Sequence, residues 1–203
     1  MTDSLPLLDR LNALLRAGHA QDMGDLPDES GWTSDPLRPA AVLMAVTDRA
    51  SAPGFLMIHR PSTMRAHPGQ VAFPGGKLDA GETPVEAALR EANEELGIDP
   101  RDVQIIGMTD RYRTASGYDI TPVLAMVPAD LPLQPNPTEV ARWFEAPVGF
   151  VLNRGNHTEQ VATLRGTERR YIEIMWEGHR IWGVTAAIIA NLARRIAWHE
   201  SHG

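Results

Sequence analysis

Glu91, Glu94 and Glu95 place three carboxylates within five residues. On a solvated helix, like charges at such spacings cost about 0.2–0.5 kcal/mol per pair, so an exposed surface has no reason to favour the cluster. A hard cation reverses the sign of that cost. Carboxylate oxygens select Mg²⁺ or Mn²⁺, and magnesium usually sits between one or two protein carboxylates and the phosphates of a substrate. The chemistry in prospect is a divalent cation held between these carboxylates and the phosphates of a substrate. Arg90 precedes the cluster and can pair with Glu94 at i+4, holding a carboxylate in place. A merely solvated charged face is the alternative that any Glu-rich helix presents.

The element that must carry these residues is well signalled. Thr83 suits the N-cap, Pro84 the first helical position, and Glu86 completes a capping box; Gly97 is the expected stop. At about 100° per residue, Val85, Ala88, Leu89, Ala92 and Leu96 share one arc and form the expected buried stripe, with Glu91, Glu94 and Glu95 outside it.

Charge is divided sharply around this helix. Between residues 51 and 80 the basic residues are Arg60, Arg65 and Lys77 against Asp79, whereas from 81 to 100 Arg90 faces Glu82, Glu86, Glu91, Glu94, Glu95 and Asp99. A phosphate bridged by metal needs that pairing: arginine forks for phosphate oxygens, carboxylates for the cation.

Gly76, five residues, Glu82, seven residues, Arg90-Glu91, Ala92, Asn93, Glu94-Glu95, Leu96, Gly97, Ile98 resembles the signature of the Nudix hydrolases at every fixed position over 23 residues. The resemblance implies a divalent-metal-dependent hydrolase of nucleoside diphosphates linked to another group, in which a loop-helix-loop presents the carboxylates. A second stretch resembles the coenzyme A pyrophosphatase branch of that family: Arg60, four residues, Arg65, three residues, Gly69, three residues, Phe73-Pro74-Gly75-Gly76 and Asp79. Pro61 stands where a small residue such as Ser is expected. SGYDITPVLAMV (116 to 127), PNPTEVARWFEAP (135 to 147) and RIWGVTAAI (180 to 188) are also similar to that branch.

The implied reaction is hydrolysis of the diphosphate of coenzyme A to adenosine 3′,5′-bisphosphate and 4′-phosphopantetheine, with Mg²⁺ or Mn²⁺ neutralising the diphosphate and activating the attacking water. Glu91 and Glu95, one helical turn apart, are the expected ligands, with Glu94 a ligand or base and Glu139 a further general-base candidate in a Pro-rich loop. Gly75 and Gly76 let the backbone approach phosphate. Arg60, Arg65, Arg111 and Arg113 are expected to hold the substrate, with Tyr112 and Tyr118 in the same loop as the last two. Because Arg60 and Arg65 are five positions apart, they would face opposite sides of a regular strand. Arg60 is therefore expected to end a strand and Arg65 to lie in the loop beyond. Other substrates of the family, such as ADP-ribose, a dinucleotide or a dinucleoside polyphosphate, are the alternative; a Nudix-like binding module without turnover would have lost carboxylates that are present here.

Composition bounds the rest. With 203 residues and 43% hydrophobic content, one domain with its own core is expected. A net charge of −7 argues against general nucleic-acid binding, and the absence of cysteine fits a reducing, cytoplasmic location. Asp3, Asp9 and Arg10 break any targeting pattern. The expected partner is a small nucleoside diphosphate; a homodimer is compatible with this, and no membrane is expected. Histidines suggest no metal site, and Trp143 and Trp182 read as packing residues in apolar surroundings.

Leu5, Leu8, Leu11, Leu14 and Leu15 predict an amphipathic helix, followed by a connecting loop to residue 38. Strands are expected in 40 to 46, 54 to 60, 103 to 108 and 120 to 127, with extended segments at RWFEAP and GFVLN. A hairpin is expected around Glu177-Gly178, and a closing helix over about 184 to 199. Strands interleaved with a few helices imply an α/β or α+β layered domain, with a core from 39 to 190. The Nudix resemblance sharpens this to a mixed sheet sandwiched between helices.

Overall fold

A computed structural model describes residues 5–32, 36–49, 51–63, 68–164, 167–196 and 198. The helices are α1 (Leu7–His19), α2 (Pro84–Leu96), the single turn α3 (Val148–Val151) and α4 (Val184–Arg195). The strands up to the acidic helix are β1 (Arg38–Thr47), β2 (Gly54–His59), β3 (Val71–Ala72) and β4 (Gly75–Lys77). After it come β5 (Gln104–Met108), β6 (Tyr112–Arg113), β7 (Tyr118–Val127), β8 (Arg142–Pro147), β9 (Thr158–Leu164), β10 (Thr167–Trp176) and β11 (His179–Trp182).

The main sheet is mixed. At its centre β1 and β7 run parallel, from Arg38 beside Tyr118 to Thr47 beside Val127. The other pairings are antiparallel: β2 and β4 on β1, β3 and β8 on β2, and β5 and β6 on β7. Strand alternation divides the apolar residues between two faces. Ala41, Leu43, Ala45, Leu56, Ile58, Val123 and Ala125 face α2. Met44, Val46, Phe55, Met57 and Leu124 face the layer made of α1, α4 and the smaller sheet β11-β10-β9. The result is an α+β sandwich whose central strands are covered on both sides.

The expected hairpin is present, with Glu177 and Gly178 at φ 43° and 80°, the left-handed pair that matches strand twist. The GFVLN segment departs from expectation. Pro147 ends β8, and the next residues close a helical turn in which Leu152 N–H donates to Val148 O. Strand β9 has no signal in the sequence, because TEQVATL contains no apolar run and Val161 within it is exposed. Trp143 also departs from expectation: it lies on β8 with 40% exposure, whereas Trp198 is buried. Leu11 and Leu15 bury the inner face of α1 while Leu5 remains exposed.

Candidate active site

Helix α2 begins as its sequence predicts. Thr83 Oγ1 accepts from Glu86 N–H and the Glu86 carboxylate accepts from Thr83 N–H, while Gly97 closes the other end at φ 70°. The buried face is rotated from the expected stripe, however: Ala87, Ala88, Ala92 and Leu96 are buried, Val85 and Leu89 only partly, and Glu95 is buried with them at 2% exposure. Three alanines let the helix lie close to the sheet. The carboxylate that patterning placed outside is thereby drawn against β4.

Glu95 is held there by the glycine pair. Gly75 N–H donates to Glu95 Oε2 at 2.9 Å. A side chain at Gly75 would put its Cβ 2.3 Å from Ala41 O, and one at Gly76 would lie 2.2 Å from Glu91 Oε1. At Gly75 the clash is with the β1 backbone, so only glycine lets β4 pair so closely there; at Gly76 a side chain would instead displace the Glu91 carboxylate. Burial pushes the Glu95 carboxyl up to about 8, against the opposing pull of the Gly75 N–H and the Arg60 charge. Burial also raises the Glu91 carboxyl, with Arg90 working against it.

Arg90 organises the remaining acids. Its Nε and Nη2 donate to the two oxygens of Glu82 at 2.7 and 3.0 Å, Nη2 also reaches Lys77 O, and Nη1 donates to Glu91 at 3.0 Å and Glu94 at 3.2 Å. The fork holds Glu82 down to about 2. Glu94 is half exposed at the rim of this network.

The third acid of the cluster comes from another element. The chain after β7 returns to the end of α2, where Gln134 N–H donates to Leu96 O at 2.7 Å and Asn136 N–H to Glu95 O at 2.9 Å. The helix's last carbonyls, which have no partner within the helix, are thus what fastens the loop. Asn136 Oδ1 then accepts from Thr138 N–H and Oγ1, and Ala141 N–H donates to His59 O. Between these fixed points stands Glu139. Carboxylate oxygens of Glu91, Glu95 and Glu139 lie within 4.8 Å of one another, and among the described residues no other trio of acids or histidines converges in this way. Glu94 is not in that trio. An all-oxygen, anionic donor set, one member of which is too buried to ionise easily, fits a hard divalent cation.

Arg60 follows β2 directly, as expected of a residue that ends a strand, and its Nε is buried without a hydrogen-bond partner among the described residues. It lines a cavity of about 140 Å³ together with Gly75, whose N–H holds Glu95. Arg65 lies outside the described residues. Arg111 pairs with Asp119 at 3.0 Å and Arg113 with Asp28 at 3.6 Å; neither lines the cavity. The Tyr118 ring is covered by the Arg38 guanidinium at 4.2 Å, and Tyr112 is buried, its hydroxyl pushed above its ordinary range by that burial. One contact carried no signal in the sequence: His59 Nε2 and His179 Nδ1 lie 2.8 Å apart, joining β2 to β11.

Comparison with known proteins agrees with this architecture. Residues 36–164 match the NUDIX domain family. The chain is 38% identical over 172 residues to a protein of Photorhabdus laumondii named "Uncharacterized Nudix hydrolase NudL", covering 84% of this chain and 91% of that one. A protein of the same name from Escherichia fergusonii is 41% identical over 160 residues, 78% of this chain and 83% of its own. Among solved structures, a Nudix hydrolase from M. smegmatis, RenU, superposes with a TM-score of 0.50 at 25% identity, covering 63% of this chain and 81% of that chain.

Proposed function

The chain belongs to the Nudix hydrolase family, and from that premise we propose that it hydrolyses the diphosphate bond of coenzyme A or its acyl derivatives, releasing adenosine 3′,5′-bisphosphate and a 4′-phosphopantetheine. The observation that supports an anionic substrate at this site is the Arg60 Nε, buried and without a partner among the described residues, on a residue whose charge reaches Glu95. Leaving a buried guanidinium donor unsatisfied is costly, and an anionic oxygen of the substrate removes that cost. The spacing of Arg60, Gly69 and Phe73-Pro74-Gly75-Gly76 supports the coenzyme A branch specifically.

In this reading Glu91 and Glu95 hold Mg²⁺ or Mn²⁺, which supplies charge neutralisation and Lewis acidity at the diphosphate. Gly75 orients Glu95 through its N–H, and Arg90 orients Glu91. Glu139, brought in on a separate loop, serves as the base that takes a proton from the attacking water. Arg60 binds the diphosphate; Arg65, assigned from its spacing in the sequence, binds the same substrate. Glu94, tied to Arg90, keeps that arginine in register.

A panel of coenzyme A, acetyl-coenzyme A, ADP-ribose and a dinucleoside polyphosphate, with products separated after incubation in Mg²⁺ or Mn²⁺, tests the assignment. Coenzyme A or its acyl form is expected to give the highest kcat/KM. Arg60→Ala is expected to lower that value at least about tenfold, roughly 1.4 kcal/mol of transition-state binding, with little change in metal affinity. A preference for ADP-ribose, or an unaltered Arg60→Ala, would overturn it.

A further inference from the structure

The cavity beside Arg60 has a lining whose chemistry is selective. Val42, Val71, Ile120, Val184 and Ile188 supply aliphatic surface from three separate elements and from the first turns of α4. The polar groups around them are largely spent on the protein itself. Thr185 Oγ1 donates to Val71 O at 3.0 Å, Thr114 Oγ1 accepts from Tyr118 N–H and shares a hydrogen with Ser116 Oγ, and Gln70 also has a partner. Arg60, a lining residue, has a buried Nε with no partner among the described residues, and its charge is felt by Glu95. Gly75 joins the two regions: its N–H holds Glu95, and its backbone lines the cavity.

The apolar side chains that line it outnumber the polar ones, and the Thr114 and Thr185 hydroxyls are already engaged with the protein, so an aliphatic group suits this wall. A branched aliphatic group attached within a few bonds of a phosphate matches both the wall and the guanidinium. Coenzyme A has such a group, since the pantoyl carbon bearing two methyls is joined through one methylene to the phosphate ester oxygen.

Resting on the coenzyme A reading above, we propose that this cavity is the subsite for the dimethyl-branched segment that follows the diphosphate, so that substrate is selected by its aliphatic arm as well as by its phosphates. Filling it with the two methyls removes apolar surface from water that a linear arm does not have. Arg60 then contacts the phosphate to which that arm is attached, at the junction of cavity and carboxylates.

The test compares coenzyme A with its bis-desmethyl analogue, which keeps every charge and polar group. Wild-type protein is expected to favour coenzyme A by at least about tenfold in kcat/KM. Val184→Phe and Ile120→Phe, which fill the cavity from two different elements, are expected to bring that ratio close to one while thermal unfolding in Mg²⁺ remains cooperative. Equal wild-type activity on the two substrates overturns the subsite and leaves the coenzyme A reading standing. Failure to hydrolyse coenzyme A overturns both. A variant that loses activity equally on both substrates, with the ratio kept, assigns the cavity to another part of the molecule and overturns the subsite. The wild-type comparison decides the matter should both variants unfold.

Discussion

Glu95 is the residue at which sequence patterning and packing diverge. Its motif position is plain in the sequence, but its burial follows from three alanines letting α2 sink onto the sheet, which helical periodicity does not encode. The energetic consequence is a carboxyl whose folded-state pKa, about 8, lies above the ordinary value of 4.5. The folded protein therefore holds a proton that the unfolded chain releases. Glu95's contribution to stability is full below about pH 4.5 and is lost as pH rises through 8. A cation bound at the cluster, as proposed above, would take the place of that proton. The rise in Tm on adding saturating Mg²⁺ should consequently be larger at pH 8.5 than at pH 6, and Glu95→Gln should abolish the difference. A metal-induced shift independent of pH in the wild type would refute this.

At the scale of elements, the site is a helix and a loop that share backbone groups. The capping box, the Gly97 stop and the ends of the chief strands were legible because each is a local device. The placement of Glu139 was not. It depends on Gln134 and Asn136 reaching the last carbonyls of α2, and main-chain bonds of that kind leave no residue signature beyond the Pro-rich, turn-prone composition of the loop. The side chain of Asn136 is the local strut, through its bonds to Thr138. Asn136→Ala is expected to cost about 1 kcal/mol of stability. It should also lower kcat on the preferred diphosphate about tenfold or more, because small displacements of a reacting group are expensive. Steady-state kinetics beside thermal unfolding checks both; a stability loss with unchanged kcat would show that Glu139 does not depend on the turn.

Across the whole molecule, two sheets of different composition meet at the histidine bridge. The main sheet could be read from its apolar runs, whereas β9 could not, since an exposed edge strand needs no such run. Nor could the His59–His179 contact, between residues far apart in the chain. One ring must donate and the other accept, and His179 also stacks on Phe144 at 3.6 Å. Burial and the nearby Arg142 charge hold both histidines below their usual pKa. The lowered values reverse the sign found for Glu95: this contribution to stability is present above about pH 6.5 and is lost as pH falls through the folded values. His179→Gln should accordingly reduce the loss of Tm between pH 7 and pH 5.5 seen in metal-free protein. An identical acid limb in the variant would assign that loss to other groups.

The parallel pairing of β1 with β7 has a kinetic corollary. These strands are far apart in sequence, and the acidic helix and its glycine loop lie on the chain between them. If the folding nucleus is built on this central pair, the docking of α2 and of the Glu139 loop that completes the carboxylate trio follows it. Mg²⁺ should then slow the unfolding limb of a denaturant chevron and leave the refolding limb nearly unchanged, as expected for contacts made after the transition state. A cation that accelerated refolding instead would place the acidic cluster among the earliest contacts to form.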